Sequence, residues 1–368
     1  MKRVVIMAEK PSLFADCQTI LSPFLQKFAG AAIYHKVDVV IAHHYSFLRY
    51  IYPKGLKWDE YPFVGEPIWE LEREAGTRWS IDAIDVRAGE ITYQRSRQLE
   101  KSLQGADIVV SLTDWSASSQ CFARALVDRY APHAKAYFPQ ILNSTQSSLL
   151  GAFEELLDAK KANEIDSTSK SLARAGTVKM RFDYNFNINS LAILSKTYFE
   201  ALGRRPVAPL SKYAVQFLFR CSELAEPLSE GDLIREMQEW KHVAPCMKKA
   251  TKLFDDGLGS CASRAQIVSQ CEENGLLEKM MSDGSRPQKL LALSSDGRML
   301  LDWLHPDCRD YDLPYRLSRW MNEEDSNCAL NKVDRYIRTF FGKQIRFLSK
   351  KVQPCEVTTF LAAAMSVV

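Results

Sequence analysis

The sequence predicts an α/β domain over residues 1–145, followed by a mainly α-helical domain over residues 146–368. Three observations lead there. The short apolar runs Val4-Val5-Ile6, Val37-Asp38-Val39-Val40-Ile41 and Ile108-Val109-Val110-Ser111-Leu112 all fall in the first part. Runs of that kind form strands buried on both faces of a sheet, with helices between them. Beyond them, Leu149–Lys161, Leu191–Leu202 and Leu233–Trp240 follow the helical period.

In chain order, Ser12–Leu21 fits a helix opened by Pro11 and Ser12 and closed before Pro23. After Asp114, the small polar Ser116, Ser118 and Ser119 lead into a helix over Cys121–Tyr130. The Ser/Thr-rich stretch Ala162–Ser171 and the stretch Gly203–Pro209 read as loops. No internal repeat or low-complexity tract stands out.

Composition narrows the class. Of 368 residues, 46% are hydrophobic and 25% charged, as in an ordinary globular protein. No apolar run approaches the ~20 residues that span a bilayer. The opening strand, Arg3–Met7, meets charged Glu9 and Lys10 at once, which is not a signal peptide. A cytoplasmic protein without a membrane partner is expected. The nine cysteines include no C-x-x-C pair, so buried thiols are expected rather than disulfides or a zinc site.

Net charge is only +3, but its distribution is uneven. Between Lys332 and Lys351, seven cations (Lys332, Arg335, Arg338, Lys343, Arg346, Lys350 and Lys351) face one acid, Asp334. Val333, Ile337, Phe340, Phe341, Ile345 and Leu348 recur there at helical spacing. Such an amphipathic helix can lie along phosphates, and it equally fits a solvated surface face.

The segments Val4–Ser12, Ala106–Asp114, Arg181–Asn189, Leu210–Gln216 and Asp256–Val268, in this order, resemble motifs of type IA DNA topoisomerases. Val4–Ser12 is similar to the family's opening strand and turn, with Glu9 as its glutamate. Ala106–Asp114 is similar to the second signature strand, which in the family runs into D-x-D-R-E-G-E. Arg181–Asn189 resembles the start of the adjoining helical domain: Arg181, Asp183 and Asn189 match, and Asn187 replaces a glycine. Leu210–Gln216 is similar to L-S-x-G-R-V-Q, with Gln216 matching, and Tyr213 and Ala214 in place of glycine and arginine. Asp256–Val268 resembles G-I-G-x-P-[AS]-T-R-A-x-I-I, with Arg264 matching and Cys261 replacing proline. The likeness continues through Asn274–Glu278 and Leu293–Leu300 as helix, turn, extended segments and helix, a winged-helix-like pattern over about 230–305. The implied fold is a Toprim-like α/β domain, then a helical domain with a winged-helix-like part and a basic C-terminal helix.

The departures fall on the chemistry. Carboxylates on one turn after a strand hold a hard divalent cation through oxygen. Here Asp114 keeps the first aspartate position, but Ser116, Ala117, Ser118 and Gln120 replace aspartate, arginine and both glutamates. Glu9 and Asp114 alone would hold magnesium weakly, so no cofactor is expected. His43 and His44, adjacent on an extended segment, point to opposite sides and do not easily share a metal. The region that carries the family's catalytic tyrosine is absent: Leu210–Gln216 is soon followed by Glu230–Met237. Tyr93, in Ile91–Ser96, echoes the tyrosine motif but precedes the Asp114 strand.

The resemblance therefore implies a catalytically inactive DNA-binding accessory protein of plasmid or mobile-element DNA processing, with single-stranded DNA and further proteins as partners. Its expected phosphate contacts are Lys10, Arg181, Asn189, Gln216, Arg264, Lys289, Arg298, Arg338, Lys343 and Arg346. Glu9, Asp114, Ser116 and Ser118 are read as vestiges of the metal site. Two alternatives stay open: a protein–protein scaffold that has lost DNA binding, which Ala214 fits, and a residual enzyme using Glu9 and Asp114 or a partner's tyrosine.

Overall fold

The computed structural model describes residues 2–8, 35–41, 48–71, 82–87, 90–95, 99–141, 145–203, 210–246, 257–282 and 288–351. The expected helix Ser12–Leu21, together with Glu9, Lys10, His43 and His44, lies outside the described residues. The chain divides into two units: 1–51 with 68–180, and 52–67 with 181–368. The division falls between Met180 and Arg181, and residues 52–67 belong to the second unit.

The first unit is built on a parallel sheet in which β2 (His35–Ile41), β1 (Lys2–Ala8), β7 (Ile108–Leu112) and β8 (Lys135–Tyr137) lie in that order. Val4 is opposite both Val37 and Ile108, so the three apolar runs are neighbours in register. Val5, Ile6 and Met7 are all fully buried, which requires both sheet faces to be covered. Helix α1 (Leu99–Gln104) and α2 (Ala117–Tyr130) supply part of the cover: Leu103, Phe122, Ala123, Leu126 and Val127 pack with Val5, Met7 and Val109. Two antiparallel pairs, β3 (Leu48–Tyr50) with β4 (Trp69–Leu71) and β5 (Asp82–Arg87) with β6 (Glu90–Arg95), complete the strands of this unit among the described residues. Tyr93 sits within β6, opposite Ile84.

Two helices follow, α3 (Gln146–Leu157) and α4 (Ala159–Asn189), separated at Asp158, whose carboxylate accepts the Lys160 and Lys161 amides. The loop expected over Ala162–Ser171 is instead inside α4. Its polar residues are held by helical and cross-helix bonds: Thr168 Oγ1 donates to Glu164 O, and buried Ser169 donates to Gln120. Tertiary partners here override a composition that favours turns. A Cβ on Gly176 would lie 2.1 Å from Ala117 O, so only glycine lets α4 pass this close to the start of α2.

The second unit is mainly helical. After Asn189 the helix widens into a π segment, Ser190–Lys196, and resumes as α5 (Thr197–Ala201). The π turn brings residues five apart into line: Ser190 Oγ donates to Leu210 O, and Ser195 Oγ accepts Leu210 N–H. Next come α6 (Lys212–Cys221), α7 (Glu230–Gln238) and α8 (Cys261–Glu273), capped by Ser211, Ser229 and Ser260. An antiparallel pair follows, β9 (Leu277–Met281) with β10 (Lys289–Leu293), and β10 also bridges Leu228 through Leu291. Then come α9 (Ser295–Trp303), α10 (Leu313–Met321) and the long α11 (Ser326–Lys351). On α11, Ala329, Val333, Ile337, Phe340, Phe341, Gln344 and Leu348 form the buried stripe. Phe340 and Phe341 meet Phe186 edge-on or tilted, with ring centroids 5.6 and 5.1 Å away. No helix among the described residues is long and apolar enough to cross a membrane.

Candidate nucleic-acid interface

The turn after β7 carries Asp114 and Ser116, and Ser118 falls in the first turn of α2. Ser116 is the N-cap of α2, its hydroxyl accepting Ser119 N–H at 3.2 Å. Gln120 is fully buried. Its Nε2 donates to Thr113 Oγ1 and to Asp114 O, while Oε1 accepts Ser169 Oγ–H at 2.6 Å. Arg124 then donates to Ser169 and pairs with Asp166 at 2.6 Å. Below the turn there is thus a hydrogen-bond network with no net charge, its one carboxylate paired with Arg124, where an acidic cluster would place like charges together. Among the described residues no group of three or more His, Cys, Asp or Glu could hold a metal ion.

In the second unit, the matched motif residues build a frame. Asn189, fully buried, accepts Phe63 N–H through Oδ1 and donates to Phe63 O through Nδ2, both at 2.7 Å. Asn185 does the same to Gly65, at 2.8 and 3.0 Å. Each Nδ2 also donates one turn back, to Arg181 O and Asn185 O. The geometry fits because four helical residues rise about 6 Å and two extended residues about 6.8 Å. Arg181, one turn earlier, makes a bidentate pair with Asp334 at 2.9 and 2.8 Å and an ion pair with Glu66. Those bonds, from Asp334 above all, raise its pKa further, so it stays charged.

The other matched positions behave alike. Gln216 donates to Cys308 O and accepts Asp310 N–H. Gln344 donates to Trp303 O and accepts His305 N–H. Lys212 pairs with Asp183. Arg264 is 2% exposed and donates from Nε to Leu258 O, bracing the turn before α8. That turn needs its glycine: Gly257 has φ +60°, and a Cβ there would lie 2.2 Å from Met237 O. Arg181, Asn189, Gln216 and Arg264, expected to face DNA, are therefore framework residues, buried by their own bonds. Asn185 and Gln344 belong to the same set and were not singled out from the sequence. For Asn185 the available signal was its position four residues from both Arg181 and Asn189.

The exposed cations divide in two. Lys289 pairs with Glu272 at 2.9 Å, Arg298 lies 3.8 Å from Glu278, and Lys343 pairs with Asp307. Two lysines, Lys279 and Lys289, hold Glu272 below the usual carboxylate range. The exposed positions of α8 (Cys261, Ala265, Gln266, Ser269 and Glu273) include no cation. By contrast Arg335, Arg338, Arg346 and Lys350 are exposed on α11 with no ion pair among the described residues. Arg335 and Lys350 join the expected Arg338 and Arg346 on a ridge about 22 Å long, by the helical rise of 1.5 Å per residue.

The cysteines are thiols throughout the described residues. Burial pushes Cys271 and Cys308 up to about 12, so neither is a nucleophile at neutral pH.

Compared with known proteins, the chain matches no family model, and no curated protein matches it.

Proposed function

We propose that the protein is a catalytically inactive, topoisomerase-like DNA-binding factor that engages single-stranded DNA through the exposed ridge of α11 and serves a larger DNA-processing assembly. The observation that carries this reading is the ridge itself: four exposed cations without acidic partners among the described residues, on a helix whose other side is buried. Phosphate attraction needs this kind of uncompensated charge. A Toprim-like reading of the first unit is supported by the parallel order β2-β1-β7-β8, with Asp114 just beyond the end of β7. A winged-helix-like reading is supported by α6, α7 and α8 followed by the β9–β10 pair, with Leu228 bridging Leu291 as a third extended segment. The neutral bonding of Gln120 supports a lost rather than a latent metal site. Glu9 and Asp114 would give magnesium only two carboxylates, fewer ligands than it takes without substrate phosphates.

The scaffold alternative draws on a different observation. The buried Arg264 and the neutralised Lys289 leave α8 and the β9–β10 pair poor in free charge, while Met280 and Met281 on β9 and Met299 on α9 are exposed. One experiment separates the readings: binding of the purified chain to single-stranded and duplex DNA, with magnesium and with chelator. Metal-independent, salt-sensitive binding without cleavage is expected. No binding at low salt would favour the scaffold, and magnesium-dependent cleavage would restore an enzyme.

A further inference from the structure

We propose that the turn Lys57–Pro62 forms, with α11, a stacking platform for the bases of single-stranded DNA: Trp58 and Tyr61 receive bases, and Arg338 and Arg346 hold the flanking phosphates. This rests on the DNA-binding reading above and gives it a cause for strand preference.

The placement comes from Gly342. Arg338, Gly342 and Arg346 are spaced four apart, on one stripe of α11. A Cβ at Gly342 would lie 3.9 Å from Pro62 Cγ and 3.6 Å from Arg346 Nη1. The turn thus rests on the helix at the gap in the cation ridge, with an arginine one turn to either side. Trp58 and Tyr61 are half-buried, their ring centroids 6.1 Å apart and tilted by 45°. Neither residue is fully buried. Lys54 and Lys57 are exposed on the same segment. Of the two nearby acids, Glu60 is held by the Lys57 amide at 2.6 Å, and Asp59 is exposed. The segment is anchored, because Asn189 and Asn185 grip Phe63 and Gly65 just beyond it. Anchoring lowers the ordering cost of binding. Aromatic rings beside a cationic track bind single strands without sequence preference, since every base offers a π face; a duplex keeps its bases stacked inside.

The test measures fluorescence anisotropy of the full chain with a labelled oligothymidylate and with a labelled duplex. Trp58→Ala should weaken the oligothymidylate complex about 5- to 100-fold and leave the duplex complex within about 2-fold, while Trp58→Phe keeps most of the affinity. The double variant Arg338→Glu/Arg346→Glu should weaken both. If the double variant weakens binding and Trp58→Ala does not, or weakens both ligands equally, stacking is overturned and the DNA-binding reading stands. If the wild-type chain binds neither ligand, both fall. Photocrosslinking of wild-type protein to an iododeoxyuridine oligonucleotide gives a readout that does not depend on a variant folding. A crosslink within residues 57–61 supports the platform, and crosslinks confined elsewhere overturn it.

Discussion

Asn189 holds Phe63 across 126 residues of sequence by both sides of one residue's backbone, accepting from its N–H and donating to its C=O, each at 2.7 Å. Substitution by alanine removes both bonds and the one to Asn185 O, leaving polar groups unpaired in a half-buried environment. Asn189→Ala should destabilise the second unit by about 2–4 kcal/mol, and Asn189→Asp, which cannot donate to either carbonyl, by at least as much. Urea unfolding measures this. Losses under about 0.5 kcal/mol would mean the clamp is not maintained in solution.

Arg181 tests whether a motif arginine serves structure or DNA. It is 8% exposed and bonded to Asp334 and Glu66. Removing one partner of a buried pair strands the other, which costs about 3–5 kcal/mol. Arg181→Ala should show that loss in denaturation. Under conditions where it remains folded, the salt dependence of its DNA binding should match the wild type. A reduced salt slope in a stable variant would reassign Arg181 to the DNA surface.

Gln120→Glu puts a buried carboxylate against Asp114 O, where the native amide donates a hydrogen bond. A buried Glu has its folded pKa raised above the unfolded value of about 4.3. The folded state then binds more protons, so the variant should lose stability as pH rises above about 4.3 and level off past the raised pKa. Melting temperature against pH, variant beside wild type, reads the effect. Equal profiles would contradict a raised pKa at this position, and gain of tight magnesium binding would show a latent metal site.

Asp166 gives the opposite sign. Burial works to raise its pKa, but hydrogen bonds and charge from Arg124 and Lys170 outweigh it and hold the carboxyl below its ordinary value. Its stabilising contribution is therefore complete above about pH 3.9 and fades as pH falls through the lowered folded pKa. Asp166→Asn should flatten the acid limb of the stability curve without moving the neutral plateau by much more than the loss of a surface-edge pair. An unchanged acid limb would remove Asp166 from this role.

The sequence revealed elements whose causes are local. β1, β2 and β7 were legible because their apolar runs are continuous, and α11 because Val333, Ile337, Phe340, Phe341 and Leu348 repeat at helical spacing. Ala162–Ser171 misled because its Ser and Thr residues satisfy themselves inside a helix, through Thr168 to Glu164 O and Ser169 to Gln120. The roles of Arg181, Asn189 and Gln216 were hidden for a different reason. A motif marks which residues matter, but whether an amide grips a phosphate or a backbone depends on a segment that arrives from far away, as Phe63 reaches Asn189 and Asp310 reaches Gln216. Counting the charges located the basic helix, but only pairing separates Arg338 and Arg346 from Lys343, which Asp307 neutralises.

The most direct test of that separation is the salt dependence of oligothymidylate binding by the wild type and by the variant Arg338→Glu/Arg346→Glu. Four phosphate contacts on a single strand give a log–log slope of about −3, at about −0.7 per contact. The account predicts a slope near that value for the wild type, and one shallower by about 1.4 with weaker binding for the variant. Identical slopes in the two proteins would contradict the assignment of the α11 ridge as the DNA-binding surface.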